Sequence, residues 1–258
     1  MPFTVAHAAA VLPLRKLKLV WSAAIIGSMA PDFPYVIGNI EYRDLGHQFP
    51  GVLWFTLPAS FAALWLFHNM IKRPVIGLLP TGMQERLHRQ SGDFKFGPAS
   101  RFLAILGSIS LGIATHLVWD AFTHYNSWPW RHIAWLRGRL SVPFVHHHMP
   151  VFSALQYASS VVGMLALAIW VLLWYRSAPT VAAATSRPRS RFALAVAMLA
   201  IAAAVGTLRA VLVVGPPVSL GRINIFLLIS GVTSLAAAFW QLLFYCVLVS
   251  SYQMWVIP

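Results

Sequence analysis

The sequence predicts an all-α fold: a polytopic helical membrane protein with about five transmembrane helices plus an N-terminal interfacial or re-entrant helical segment. Three observations predict it. Hydrophobic residues make up 59% of the chain and charged residues 10%, with a mean hydropathy of +0.70, whereas soluble domains carry about 25% charge. Apolar runs recur that are long enough to cross roughly 30 Å of hydrocarbon. The Lys and Arg residues fall mostly between those runs, as topogenic and headgroup-binding charges do.

In chain order, Thr4 to Leu12 reads as a helix and carries His7. Leu19 to Ala30 is apolar over 12 residues, which suits an interfacial, re-entrant or buried helix better than a full crossing. It follows Arg15, Lys16 and Lys18, so its opening resembles a secretory signal peptide. That reading is rejected, because the stretch ends in Pro31 and Asp32 without a small-residue cleavage site. Crossings are expected at 51–70, 102–123, 151–175, 192–214 and 223–250. Lys72, Arg73, Arg86, Arg89, Lys95 and Arg101 lie between the first two, and Arg176, Arg187, Arg189 and Arg191 between the third and fourth. The expected division is a metal-site region at 1–175, a flexible basic linker at 176–191 and a C-terminal helix pair at 192–258. In that pair Gly206, Gly231 and several Ser and Ala residues suit close helix packing.

A formal charge of +13 raises a nucleic-acid reading. The basic residues form no single face, however, so anionic lipid headgroups are the expected partners and no nucleic acid is expected. Lys and Arg are slightly more numerous on the side holding the 71–101 and 176–191 connections, which places those in the cytoplasm and the His124 end outside. Cys246 is the one cysteine and lies in the last apolar run, so no intramolecular disulfide and no cysteine metal cluster can form.

The chemistry concentrates at Thr115 to Tyr125. His116, Asp120 and His124 recur every fourth residue there, in an otherwise apolar stretch. An ionisable side chain at bilayer depth costs about 2.5–3.5 kcal/mol on insertion scales, so it faces a partner, a cavity or an ion. His116 and His124 stand about 12 Å apart along a helix, too far to share one ion, with Asp120 midway and able to serve either or to bridge two. The alternative is a hydrogen-bonded polar seam in which both histidines share protons with Asp120. His7, Asp32 and His47 are further candidate ligands. Each also has a structural reading, as an amphipathic-helix residue, a turn cap and a loop residue respectively. With no cysteine to contribute, imidazole and carboxylate must hold any metal, which suits zinc, manganese or iron, with one or two zinc ions as the default.

The opening Met1-Pro2-Phe3-Thr4 with His7, the Gly27-Ser28-Met29-Ala30-Pro31-Asp32 stretch, His47, and His116 with Asp120 and His124 closely resemble DUF4184, a family of bacterial membrane proteins. That resemblance implies an integral protein of the bacterial cytoplasmic membrane. More distantly, the pattern is similar to membrane-bound metal-dependent hydrolases and to the zinc-dependent phospholipase C and S1/P1 nuclease group. This likeness implies metal-ligand roles for His7, Asp32, His47, His116, Asp120 and His124, and makes Asp32 a candidate for activating the attacking water. Two departures stand out. The soluble enzymes place their last helix ligand somewhat further on, and they complete a third metal with a His followed four residues later by an acid. Here His146-His147-His148 is followed at those offsets by Pro150, Val151 and Phe152. The cluster could instead complete a second ion or form a solvated loop. The soluble group also uses its mature N-terminal amine, for which Pro2 would be the counterpart if Met1 were removed.

The leading expectation is a membrane-embedded, metal-dependent hydrolase acting on a lipid-linked phosphodiester or another membrane-associated substrate. Trp119, Trp128, Trp130 and Trp135 would then sit near headgroup level. Arg137 and Arg139 would contact a phosphate or lipid headgroups, and Gln156 and Tyr157 begin the third crossing. The alternative is a non-enzymatic membrane protein with a structural metal site or an ion-transport role. A transporter would distribute polar residues over several spans, yet residues 192–258 contain no acid and leave Arg209 without a carboxylate partner of their own.

Overall fold

The computed structural model describes residues 4–36, 43–142, 147–181, 188–217 and 220–256. It is 85% helical. Five helical stretches among the described residues are long and apolar enough to cross a membrane: Phe49–Leu78, Ala99–His132, which is interrupted after Thr123, Val151–Ser177, Arg191–Val214 and Ile225–Ser250. They fall where the apolar runs predict crossings and suggest a membrane protein.

The chain divides into two compact units, the first built from residues 1–33, 43–61 and 96–174, the second from 34–42, 62–95 and 175–258. The first unit opens with a 3-10 helix, Thr4–Lys16. The sequence predicts a helix there, and the structure winds it more tightly. Side chains three apart eclipse in a 3-10 helix, and the alanines at 6, 8, 9 and 10 keep that crowding small. Helix α1, Trp21–Met29, follows. Its 9 residues span about 14 Å, under half of a bilayer core, as the short apolar run implies.

Helix α1 packs on the long helix α4, Ala99–Thr123. Ala23, Ala24, Ile105, Ile109 and Ile113 are buried at the contact. The approach is close because both surfaces carry glycine. A Cβ at Gly112 would strike the Ala24 carbonyl and the Ser28 amide, and one at Gly27 would strike the Ile109 carbonyl. Val20 N–H, at the start of α1, donates to Ser108 Oγ on α4 at 2.9 Å. Helix α2, Arg43–His47, precedes the first crossing helix, α3, Phe49–Leu78.

Helix α3 holds two stretches of π geometry, Val52–Thr56 and Phe67–Ile71. Each stands just ahead of a proline, Pro58 and Pro74. A proline has no N–H and its ring clashes with the carbonyl four residues earlier, here Trp54 and Met70, so the backbone widens where those carbonyls sit. The helix also runs further than the 51–70 expectation. Lys72, expected in the connection, is buried in it, and its Nζ donates to the Gly92 carbonyl.

Helix α4 ends at Thr123, one residue short of the expected helical His124, which is extended at φ −118°. Asn126 follows with φ +62°, a left-handed conformation that asparagine tolerates. A small hairpin departs from the all-helical expectation: β1, Arg139–Val142, pairs antiparallel with β2, His147–Pro150. Helix α5, Val151–Ser177, completes the unit.

In the second unit, α6, Pro188–Val214, packs along α7, Leu220–Val256. Gly206 makes that crossing against Ser230 and Ser234, whereas Gly231, expected to serve similarly, faces open space. Arg209 Nη1 donates to Thr233 Oγ1 on α7 at 3.3 Å, which supplies a partner that the sequence did not name. Residues 182–187 of the basic linker lie outside the described residues.

Candidate metal centre

Helix α4 presents His116 and Asp120 one turn apart on its buried face, 0% and 7% exposed. The close crossing of α1 brings the Ser28 carbonyl within 2.8 Å of His116 Nδ1. Nδ1–H donates to that oxygen, so the neutral ring carries its lone pair on Nε2, on the far side and facing the cluster.

Beyond α1 the chain turns through a 3-10 step, Ala30–Asp32. It buries Asp32, 4% exposed. Thr4 Oγ1 donates to Asp32 Oδ2 at 2.7 Å. The other oxygen, Oδ1, lies 3.6 Å from His47 Nε2 and 3.7 Å from His116 Nε2. Gly46 lets α2 rest on this turn, since a Cβ there would collide with the Pro31 carbonyl. The next residue, His47, reaches His116 Nε2 at 3.3 Å and Asp120 Oδ2 at 3.3 Å. Its side chain is 15% exposed, more than those of Asp32, His116 and Asp120 around it.

His7 closes the cluster from the 3-10 helix. Its ring stacks on His116 at 3.9 Å between centroids, and its Nε2 lies 3.5 Å from Asp120 Oδ1. Burial, reinforced by the neighbouring His116, pushes the His7 pKa down to about 3, so the ring is neutral at physiological pH. Both His7 nitrogens and Asp120 Oδ1 are buried without a hydrogen-bond partner. Orphaned polar atoms of this kind are uncommon in a folded interior and call for a partner such as an ion or water.

His124 stands at the margin. Its Nδ1 lies 3.0 Å from the Asp120 carbonyl and 3.6 Å from Asp120 Oδ2. Nδ1–H donates to that carbonyl and so helps close the end of α4. His148 is exposed, with Nδ1 3.3 Å from Ser141 Oγ. His146 and the side chain of His147 lie outside the described residues, as does Pro2.

Two groups of side chains can therefore hold a metal ion: His7, Asp32 and His116, and His47, His116 and Asp120, each with ligand atoms within 4.8 Å of one another. The donor set fits. A tetrahedral ion with bonds of about 2.0–2.1 Å separates its ligand atoms by about 3.3–3.4 Å. In the second group His47 Nε2, His116 Nε2 and Asp120 Oδ2 stand 3.3–3.5 Å apart, and Asp32 Oδ1 approaches the same two imidazole nitrogens at 3.6 and 3.7 Å.

Residue-type reasoning did not assign roles to Thr4 and Ser28. Thr4 had a signal, since it stands three residues before His7 and so shares its face of a 3-10 helix. Ser28 acts through its backbone carbonyl and left none.

Fold and site together define a helical chain of membrane-crossing length that carries a buried histidine and aspartate cluster able to hold a metal ion. The chain belongs to the DUF4184 family, described as a domain of unknown function, whose family model it matches over residues 1–247. No curated protein and no solved structure matches it.

Proposed function

We propose that the protein is a membrane-embedded, metal-dependent hydrolase of the bacterial cytoplasmic membrane, acting on a lipid-linked phosphodiester or another membrane-associated substrate. The observation that carries this reading is the trio of His47 Nε2, His116 Nε2 and Asp120 Oδ2, whose separations are 3.3–3.5 Å. His47, His116 and Asp120, with His7 and Asp32 beside them, would hold one or two ions, with zinc the default for imidazole and carboxylate donors and His124 in support. A bound divalent cation supplies acidified water and neutralises charge that builds on a phosphoryl oxygen.

The chain's own groups do the rest. Thr4 donates to Asp32 Oδ2 and so holds Oδ1 towards the imidazoles, where it would ligate the metal or, with the metal held by the other donors, take a proton from the attacking water. The Ser28 carbonyl fixes the His116 ring. His7 Nε2 and Asp120 Oδ1, 3.5 Å apart, would add a second pair of donors. Asp120 turns Oδ1 towards His7 and Oδ2 towards His47 and His116 and would contribute to either set of donors.

A second reading has its own observation. His7, Asp32, His116 and Asp120 are all buried, and sites closed by protein ligands alone are structural. Elemental analysis of the detergent-purified protein beside Asp120→Ala and His116→Ala, with release of phosphorylated headgroup from lipid vesicles as the activity, separates the two. Two ions with turnover support the hydrolase, and one ion without turnover supports the structural site. Metal content unchanged in both variants removes metal from the account altogether.

A further inference from the structure

Beside the cluster, within the first unit, runs an open groove of about 200 Å³ between the 3-10 helix and α5. Ala9 and Ala10 form one wall and Val162 and Ala166 the other, with His7 between them and the cluster. The lining is apolar apart from His7, Trp119 and two serines. Both serine hydroxyls donate to the Gln156 carbonyl, and the Trp119 indole donates to Ser159 Oγ, so none of these groups calls for water.

The mouth opens where lipid would lie. Val161, Val162, Leu165 and Ile169 of α5 are 56–64% exposed on a helix long and apolar enough to cross a membrane. From Ser159, level with Trp119, the groove follows α5 as far as Ala166. Seven residues of helix make that about 10 Å, directed away from the start of α5 and into the span. A cavity of roughly 150 Å³ takes the six carbons of benzene, so this one takes about eight. His7 lines the groove on the side of the cluster, 3% exposed, with neither nitrogen hydrogen-bonded and Nε2 3.5 Å from Asp120 Oδ1.

We propose that this groove binds the hydrocarbon tail of a membrane lipid and directs the lipid's polar linkage to the His7 side of the cluster. The nature of that linkage rests on the hydrolase reading; the seating of the tail does not. Small side chains form the groove's walls, and the solvent outside them is hydrocarbon, so a lipid tail enters laterally without leaving its own medium.

The test places the full chain in phospholipid nanodiscs doped with a phosphatidylcholine that carries a diazirine at mid-chain, and maps adducts by mass spectrometry after irradiation. Adducts at 9–10 and 162–166 should exceed those at the lipid-facing Leu208 and Leu212 by about tenfold, the preference that roughly ten additional well-placed carbon contacts give. Ala166→Phe, which fills the groove at its Ala166 end, should abolish the enrichment and leave Leu208 and Leu212 labelled as before. Ala9→Val serves the same purpose if the larger substitution does not fold. Uniform labelling, or enrichment that survives a folded filling variant, overturns the groove. Metal analysis of the same sample keeps the two proposals apart, because enriched labelling in a protein that binds no metal sinks the hydrolase and leaves the groove standing.

Discussion

Thr4→Val removes one oxygen from the site and leaves the side chain's shape nearly unchanged. In the native chain Thr4 Oγ1 donates to Asp32 Oδ2 at 2.7 Å, and a hydrogen bond to a charged group contributes about 1.5–3 kcal/mol. If that bond is what aims Asp32 Oδ1 at His47 and His116, its loss passes into metal affinity. At about 1.4 kcal/mol per factor of ten, the zinc Kd should rise about 10–100-fold, the range that removal of a ligand's hydrogen-bond partner gives in metal sites. The assay is competition with a chromogenic chelator in detergent solution, with thermal unfolding of the metal-free variant as the control for folding. Thr4→Ser keeps the hydroxyl and should restore most of the affinity. A folded Thr4→Val protein with native zinc affinity would refute the claim that Asp32 is positioned as a ligand.

Three further outcomes follow from the same geometry. Gly112→Ala drives a Cβ into the Ala24 carbonyl and the Ser28 amide, whereas Gly231→Ala meets nothing within 4 Å; thermal unfolding should show the first destabilised by about 1–3 kcal/mol and the second unchanged or slightly stabilised by the gain in helix propensity. Chelation should lower the melting temperature, since an ion present at about 100 times its Kd stabilises the folded state by about 2.7 kcal/mol; an unchanged melt argues against an occupied site. The pH dependence follows from His7, whose folded pKa of about 3 lies below the ordinary 6.5. The unfolded chain therefore binds the extra proton, so the stability that neutral His7 contributes is full above pH 6.5 and is lost as pH falls towards 3. In metal-free protein the melt should fall between pH 7 and about pH 4.5, and less steeply in His7→Phe, which retains a ring against His116.

The crossings were legible because each is a long apolar run, and composition registers that directly. Their ends were less so. Lys72 reads as a loop residue, yet it is buried in α3 because its ammonium finds the Gly92 carbonyl, a backbone group from a distant stretch. The π stretches of α3 were implicit in Pro58 and Pro74, although hydropathy is blind to them. At the site, His116 and Asp120 stood out because ionisable groups are scarce in an apolar run. The joining of Asp32 and His47 to them depends on Gly46 resting on Pro31 and on Gly112 admitting α1, contacts between backbones that residue types do not encode. The hairpin at 139–150 was missed because a pair of four-residue strands leaves little periodicity to read.

Charge balance bears on whether the cluster is a polar seam or a metal site. Asp32 and Asp120 are two of the six acidic residues in a chain of net charge +13, and both are buried within reach of the same imidazoles. Two buried carboxylates are costly unless something nearby balances them. A seam achieves this by protonating two of the histidines, which would set positive rings side by side, since His47 and His116 face each other through Nε2 at 3.3 Å and His7 stacks on His116. One divalent cation balances both carboxylates with every imidazole neutral and turns the facing nitrogens from a repulsion into a ligand pair. The seam spends protons to create new like-charge contacts, the cation removes them, and on that comparison the cluster favours a metal.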